Sequence, residues 1–224
     1  MALYGADGDH VPNAEDPRAG LEGAHGLSVR ALCSPLAGPF DLEVRPGEIV
    51  VVRGPSGSGK TLFLRLVADL DPGQGEVVLG GRARAAETAP AWRRRAVYVA
   101  AEPGWWTPAV ADHFAPADRD GARALAARLN VREGAFDAPV ARLSTGERQR
   151  LAIVRALVLA PPLLILDEPS AALDEEATAR LEALLRERAA AGAILLMASH
   201  DPAQGPRLGA RVLRMVDRRL EAGA

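Results

Sequence analysis

Lysine is almost missing from this chain of 224 residues. Among its 27 Lys+Arg positions Lys60 is the one lysine, so positions that need only positive charge have gone to arginine. Cysteine is as scarce: Cys33 stands alone, which excludes an intramolecular disulfide and a thiolate metal centre built by this chain, and fits a reducing compartment. A basic excess is also missing. The formal net charge of −2 argues against a broad nucleic-acid-binding surface, so no nucleic-acid partner is expected. No apolar run is long enough to cross a bilayer, because the longest, over 151–159 and 163–166, is broken by Arg155 and Pro161-Pro162. The N-terminus lacks a basic segment ahead of an apolar stretch, so no secretory signal is expected, and no internal repeat is present. These absences lead to the expectation of a cytoplasmic protein that can still dock at the membrane surface.

What is present is a chain with 48% hydrophobic residues, enough to build the core of one α/β domain. Residues 1–24, rich in Gly, Asp, Ala and Pro without periodicity, read as a disordered leader, with His10 and His25 in or beside it as solvated bystanders. The folded domain is expected over 25–224. Strands are expected at Phe40–Val44, Glu48–Arg53, Glu76–Leu79, Val97–Ala100, Leu163–Leu166, Ile194–Ala198 and Val212–Val216. Helices are expected at Thr61–Ala68, Glu147–Leu159 and Glu175–Ala190, with an alanine-rich helical stretch between Pro108 and Arg142. Strands alternating with helices imply a mostly parallel sheet covered on both faces.

The lone lysine lies in Gly54-Pro55-Ser56-Gly57-Ser58-Gly59-Lys60-Thr61. This is the spacing of a phosphate-binding loop: glycines turn backbone N–H groups onto phosphate oxygens, Lys60 reaches the phosphates and Thr61 offers a hydroxyl to Mg²⁺. A compact ammonium fits such a pocket where a planar guanidinium does not. A Gly/Ser turn that happens to end in lysine is the plainer alternative. A β-branched strand before the loop and a helix after it favour the anion site, because that order aims a helix N-terminus at the phosphate. The chain is therefore expected to bind a nucleoside triphosphate.

Leu163-Leu164-Ile165-Leu166-Asp167-Glu168 is an apolar strand ending in two carboxylates, at the edge of an α/β sheet where ligands gather. Asp167 can hold Mg²⁺ and Glu168 can polarise an attacking water; the plainer alternative is an acidic turn capping the next helix. Leu143-Ser144-Thr145-Gly146-Glu147-Arg148-Gln149 precedes a strong helix and has the spacing of a capping box between Ser144 and Glu147. Whether Ser144 and the first N–H groups also face a phosphate is left open by spacing alone.

From Leu27 onward the chain resembles the nucleotide-binding subunit of an ABC transporter. Leu143–Gln149 is similar to the family's signature motif, with Thr145 where glycine is commoner and Glu147 where glutamine is commoner. Leu163–Glu168 resembles its Walker B strand and catalytic glutamate, Ser170-Ala171-Ala172-Leu173-Asp174 its D-loop, and His200 in Ala198-Ser199-His200-Asp201 its switch histidine. The resemblance implies a P-loop NTPase fold of ABC ATPase type: a mostly parallel sheet with flanking helices, an N-terminal antiparallel β portion and a short helical subdomain over about 106–145. It implies ATP and Mg²⁺ as ligands, a homodimer, and a transmembrane permease as partner at the cytoplasmic face of the membrane. Glu168, His200 and Lys60 become the catalytic residues. Gly54 through Leu62, with Ser144, Gly146 and Glu147, become the nucleotide-binding set, and Thr61 and Asp167 the metal ligands. Ala68-Asp69-Leu70-Asp71-Pro72, Gly104-Trp105-Trp106 and His113-Phe114 look most like iron-export-type members. A soluble ABC ATPase of the iron–sulfur cluster assembly type is the alternative.

Three departures from the family pattern stand out. Ala101 and Glu102 occupy the place of a glutamine that reaches the metal, so either Glu102 or a water makes that contact. Leu62 replaces a hydroxyl residue at the α-phosphate. No aromatic lies near Ala31-Leu32 to stack on adenine, leaving Leu32, Leu36 or Phe40 as aliphatic or aromatic rests for the base. Of the adjacent Trp105 and Trp106, one is expected inside and the other exposed, because side chains alternate on an extended segment.

Overall fold

The computed structural model describes residues 26–223, so the expected leader with His10 and His25 lies outside the described residues. Two sheets make the frame. The first is antiparallel, in the order β2-β1-β4-β5, from β1 (Leu27–Ser34), β2 (Ala37–Val44), β4 (Gln74–Leu79) and β5 (Arg82–Ala83). The second runs β10-β9-β3-β8-β7-β6, from β3 (Ile49–Arg53), β6 (Ala96–Val99), β7 (Leu163–Asp167), β8 (Ile194–Ala198), β9 (Arg211–Val216) and β10 (Arg219–Ala222). Its strands are parallel except for the antiparallel edge strand β10. The helices are α1 (Lys60–Val67), α2 (Ala89–Arg95), α3 (Arg119–Arg128), α4 (Thr145–Val158), α5 (Glu175–Ala190) and α6 (Gln204–Leu208).

Continuous apolar runs make β3, β7 and β8 central strands, since both of their faces are covered. Val51, Leu164, Leu166, Leu195 and Met197 face one core with α4 and α5. Val50, Val52, Leu163, Ile165, Ile194 and Leu196 face a second core with α1 and the antiparallel sheet. Each such side chain buried completely contributes about 1.5–3 kcal/mol, so these strands form the stiff centre on which the site is mounted.

The stretch between Val110 and Arg142 is less helical than its alanine content suggests. It holds one α-helix, α3, and short 3₁₀ turns at Val110–His113, Pro116–Asp118, Ala135–Asp137 and Val140–Arg142. Prolines at 116 and 139 and a left-handed Gly134 divide it. α2 and α6, which sequence periodicity does not pick out, are too short to show a helical repeat.

Candidate active site

Parallel pairing brings the chemistry to one edge of the sheet. Val52 pairs with Ala198, and Ala198 in turn with Asp167, so the loops leaving β3, β7 and β8 emerge side by side at the strands' carboxyl ends. Those loops carry Lys60, Glu168 and His200.

The loop after β3 needs glycine at Gly54, where a Cβ would stand 2.7 Å from the Met215 carbonyl oxygen. The chain then enters α1 at Gly59, which has φ 107 and supplies no side-chain cap. The first N–H groups of α1 are thus left for a ligand. Lys60 is buried, and its Nζ donates to the carbonyls of Gly54 (2.8 Å) and Pro55 (3.2 Å), which holds the loop curled around the ammonium.

Asp167 is buried, with Oδ2 accepting from the hydroxyls of Thr61 (2.7 Å) and Tyr98 (3.0 Å). Its other oxygen, Oδ1, is buried with no partner, as is the Ser58 hydroxyl. A buried carboxylate oxygen left unsatisfied beside a threonine hydroxyl fits a hard cation whose remaining ligands are phosphate and water oxygens. Thr61 and Asp167 therefore suit Mg²⁺. Burial, then the Asp167 carboxylate, push the Tyr98 phenol well above its ordinary range, so it stays a hydrogen-bond donor.

Glu102 does not join this group. It is exposed in the loop after β6 and makes none of the site's hydrogen bonds; Tyr98, within the strand, reaches Asp167 instead. No motif marks Tyr98 in the sequence. Its only signal was a polar hydroxyl near the end of an apolar strand.

Glu168 has φ 47, an uncommon conformation for a residue with a side chain and one that recurs at functional sites. Its Oε2 accepts from the His200 backbone N–H (3.2 Å) and lies 2.7 Å from His200 Nδ1. The histidine side chain is mostly exposed and lines a neighbouring cleft with Ser170 and Asp201.

The phosphate cradle is lined by Gly57, Gly59, Lys60, Thr61 and Leu62, with Leu36, Arg65, Asp71 and Arg218 around it. Arg65 is committed to Asp71 through bonds of 2.7 and 2.6 Å, which hold the Asp71 carboxyl below its ordinary value. Leu62 is present but brings no hydroxyl. Of the rests suggested for adenine, Leu32 and Phe40 are completely buried in the core and unavailable. Leu36 is exposed on the cradle wall.

Ser144, Gly146 and Glu147 do not line this cradle. They form the start of α4, where Ser144 Oγ accepts from the Glu147 N–H (3.2 Å) and Glu147 Oε2 from the Ser144 N–H (2.8 Å), a closed capping box. Glu147 is turned inward: its Oε1 pairs with Arg132 Nε at 2.7 Å and the residue is buried. Both carboxylate oxygens are thus used within the protomer. Gly146 packs on the D-loop, where a Cβ would meet the Ala172 carbonyl oxygen at 3.0 Å.

Beyond β6 a cleft of about 380 Å³ is lined by Tyr98, Pro103, Trp106, Phe114 and Arg155 among others. Trp105 packs partly buried against the core while Trp106 is 69% exposed, as alternation required. The Arg155 guanidinium lies 5.0 Å from one ring centre and 4.7 Å from the other. His113 is buried and accepts from the Trp106 N–H at 3.0 Å, which fixes the loop.

The ABC transporter family profile matches residues 38–171 of the chain. The chain is 34% identical over 225 residues to the hemin import ATP-binding protein HmuV of Streptomyces coelicolor, covering 95% of this chain and 80% of that one. It is 39% identical over 180 residues to the aliphatic sulfonates import ATP-binding protein SsuB 3 of Rhodococcus jostii, covering 78% of this chain and 63% of the relative. It is 34% identical over 187 residues to the cytochrome c biogenesis ATP-binding export protein CcmA of Pseudomonas putida, covering 79% of this chain and 87% of the relative. A solved structure of the ATP-binding subunit of an ABC transporter superposes with a TM-score of 0.79 at 25% identity, with 88% of each chain covered. The uncapped P-loop helix, the unsatisfied Asp167 oxygen and these likenesses lead to one conclusion: the chain belongs to the ABC transporter family, as an ATPase subunit that takes ATP with Mg²⁺.

Proposed function

We propose that this chain is the motor of a membrane transporter, in which two copies close on ATP and drive a separate permease. One observation carries the pairing. The P-loop cradle, whose lining includes Lys60 and Thr61, does not include the signature residues Ser144 and Gly146 of the same protomer. A nucleotide held by one copy's P-loop can then meet only another copy's α4 N-terminus, whose backbone N–H groups favour an anion.

Within the cradle, Lys60 exchanges the Gly54 and Pro55 carbonyls for phosphate oxygens. Thr61 and Asp167 would hold Mg²⁺, which would supply neutralisation of phosphate charge. Tyr98 keeps Asp167 oriented. Glu168, positioned by His200, orients the attacking water and draws off its proton. We assign the sensing of the γ-phosphate to His200, which rests on Glu168 when no nucleotide is bound.

Among the described residues no helix is long and apolar enough to cross a membrane, so this reading attaches the chain to the bilayer through its permease. The cleft beside Trp106 is the face we assign to that partner, since an exposed aromatic next to an arginine is a common interface anchor. The relatives' names include import of hemin and of aliphatic sulfonates and export in cytochrome c biogenesis. Those names favour transport over a soluble cluster-assembly ATPase. The iron-export likeness rests on Ala68–Pro72 and the Trp105-Trp106 region alone, and cargo is left to the permease. Fractionation of the native host tests the reading. The chain should sediment with membranes and leave them in detergent bound to a multi-span protein; recovery entirely in the soluble fraction would contradict it.

A further inference from the structure

The turn Asp217-Arg218 joins β9 to β10, and both residues have positive φ, 45 and 60. A two-residue hairpin turn of this kind selects Asn-Gly or Asp-Gly. Here the aspartate is in place, but arginine stands where glycine is expected. A side chain at such a position carries a backbone cost that glycine would remove, and such costs persist mainly where a ligand site needs them.

The position of Arg218 supplies the need. Its stem leans on the P-loop, with Cγ 3.5 Å from where a Cβ on Gly59 would stand. Its Nη1 donates to the Leu36 carbonyl at 2.8 Å, so the guanidinium lies toward the β1–β2 turn rather than over the Lys60 ammonium's carbonyl partners. Leu36, 63% exposed, lines the same wall. Among the described residues Arg218 forms no ion pair, whereas Arg65 in the same pocket is held by Asp71. The phosphate end of the cradle already has Lys60 and the N-terminus of α1. Among the described residues the cradle lining holds no aromatic, and Phe40 is in the core.

We propose that the Arg218 guanidinium, with Leu36 beside it, is the surface on which the purine base of bound ATP rests. A planar, delocalised and weakly hydrated guanidinium lies flat on an aromatic face, whereas an ammonium offers only a compact, strongly hydrated point charge. This rests on the ATP-binding reading and adds to it a specificity-determining residue from the last hairpin of the chain.

The test uses the full chain carrying Glu168→Gln, so that nucleotide is not consumed, and compares it with Arg218→Gly and Arg218→Lys added. Calorimetry measures the Kd for MgATP and for magnesium tripolyphosphate, which has no base. Both substitutions should weaken MgATP about 5–30-fold and leave tripolyphosphate unchanged. Arg218→Gly should also raise Tm by about 1–4 °C as the turn relaxes, which separates lost stacking from lost folding. An unchanged MgATP Kd in Arg218→Gly would overturn the proposal. So would a parallel loss of tripolyphosphate binding, which would make Arg218 a phosphate counter-charge. Failure of the Glu168→Gln parent to bind MgATP at all would overturn the ATPase reading and this proposal with it.

Discussion

At the P-loop, α1 begins without a side-chain cap and two buried polar atoms, Ser58 Oγ and Asp167 Oδ1, have no partner. At the signature segment, α4 begins with a closed capping box whose acid is also paired with Arg132. Both are helix N-termini that meet nucleotide in the proposed dimer, yet one is unfinished and the other complete. An unsatisfied buried oxygen costs about 1–3 kcal/mol that a ligand can return. The cradle is therefore built to gain stability when it binds. The signature helix is built to be rigid before its partner arrives, so that closing two copies orders little new structure.

Breaking the cradle should have the largest effect. Lys60→Ala removes the only lysine and the clamp on the Gly54 and Pro55 carbonyls, so MgATP binding and turnover should both vanish. Lys60→Arg should fail as well, because the wider guanidinium crowds the loop. Titration calorimetry that found wild-type affinity in either variant would remove the P-loop from the account.

Next in size is Glu168→Gln. The amide keeps an acceptor for the His200 N–H but cannot take a proton, so hydrolysis should fall by about 10²–10⁴ while MgATP binding persists. Steady-state phosphate release measures this, and unchanged turnover would place the base elsewhere.

The signature end should respond more mildly and through stability. Glu147→Ala opens the capping box and frees Arg132, at a cost of about 1–2 kcal/mol in denaturant unfolding. Its affinity for MgATP as a monomer should not change, because Glu147 lies outside the cradle; a loss there would join the two regions that the comparison separates. Acid should weaken both ends. Burial raises the Glu147 carboxyl, but the Ser144 bonds and Arg132 outweigh it and leave it below its ordinary value. The Arg65 bond depresses Asp71 likewise. Carboxyls depressed on folding contribute stability fully above their unfolded values near pH 4, and that contribution is lost as pH falls through the folded ones. Thermal melts should show Tm dropping below about pH 4.5, with a smaller drop in Glu147→Ala.

Much of this was legible in the chain because it is written in local pattern. β8 and α5 match their expected bounds, and β3 and β7 lie within a residue of theirs, since long apolar runs and helical periods are strong signals. Motif spacing singles out Lys60, Thr61, Asp167, Glu168 and His200 as candidates, and the sheet register brings the loops that carry them to one edge. What was not legible depended on distant packing. Tyr98 meets Asp167 only because β6 pairs with β7. Arg218 meets Gly59 only because β9 pairs with β3, and β10 is too short and charged to be read as a strand. Phe40 is drawn inward against Phe63 and does not line the cradle.

If one protomer holds half of each site, sedimentation of the Glu168→Gln chain with and without MgATP will show it. The account predicts a monomer without nucleotide, a dimer with MgATP, and no dimer when Lys60→Ala is added. A Glu168→Gln chain that binds MgATP to saturation and remains monomeric at every concentration would contradict it.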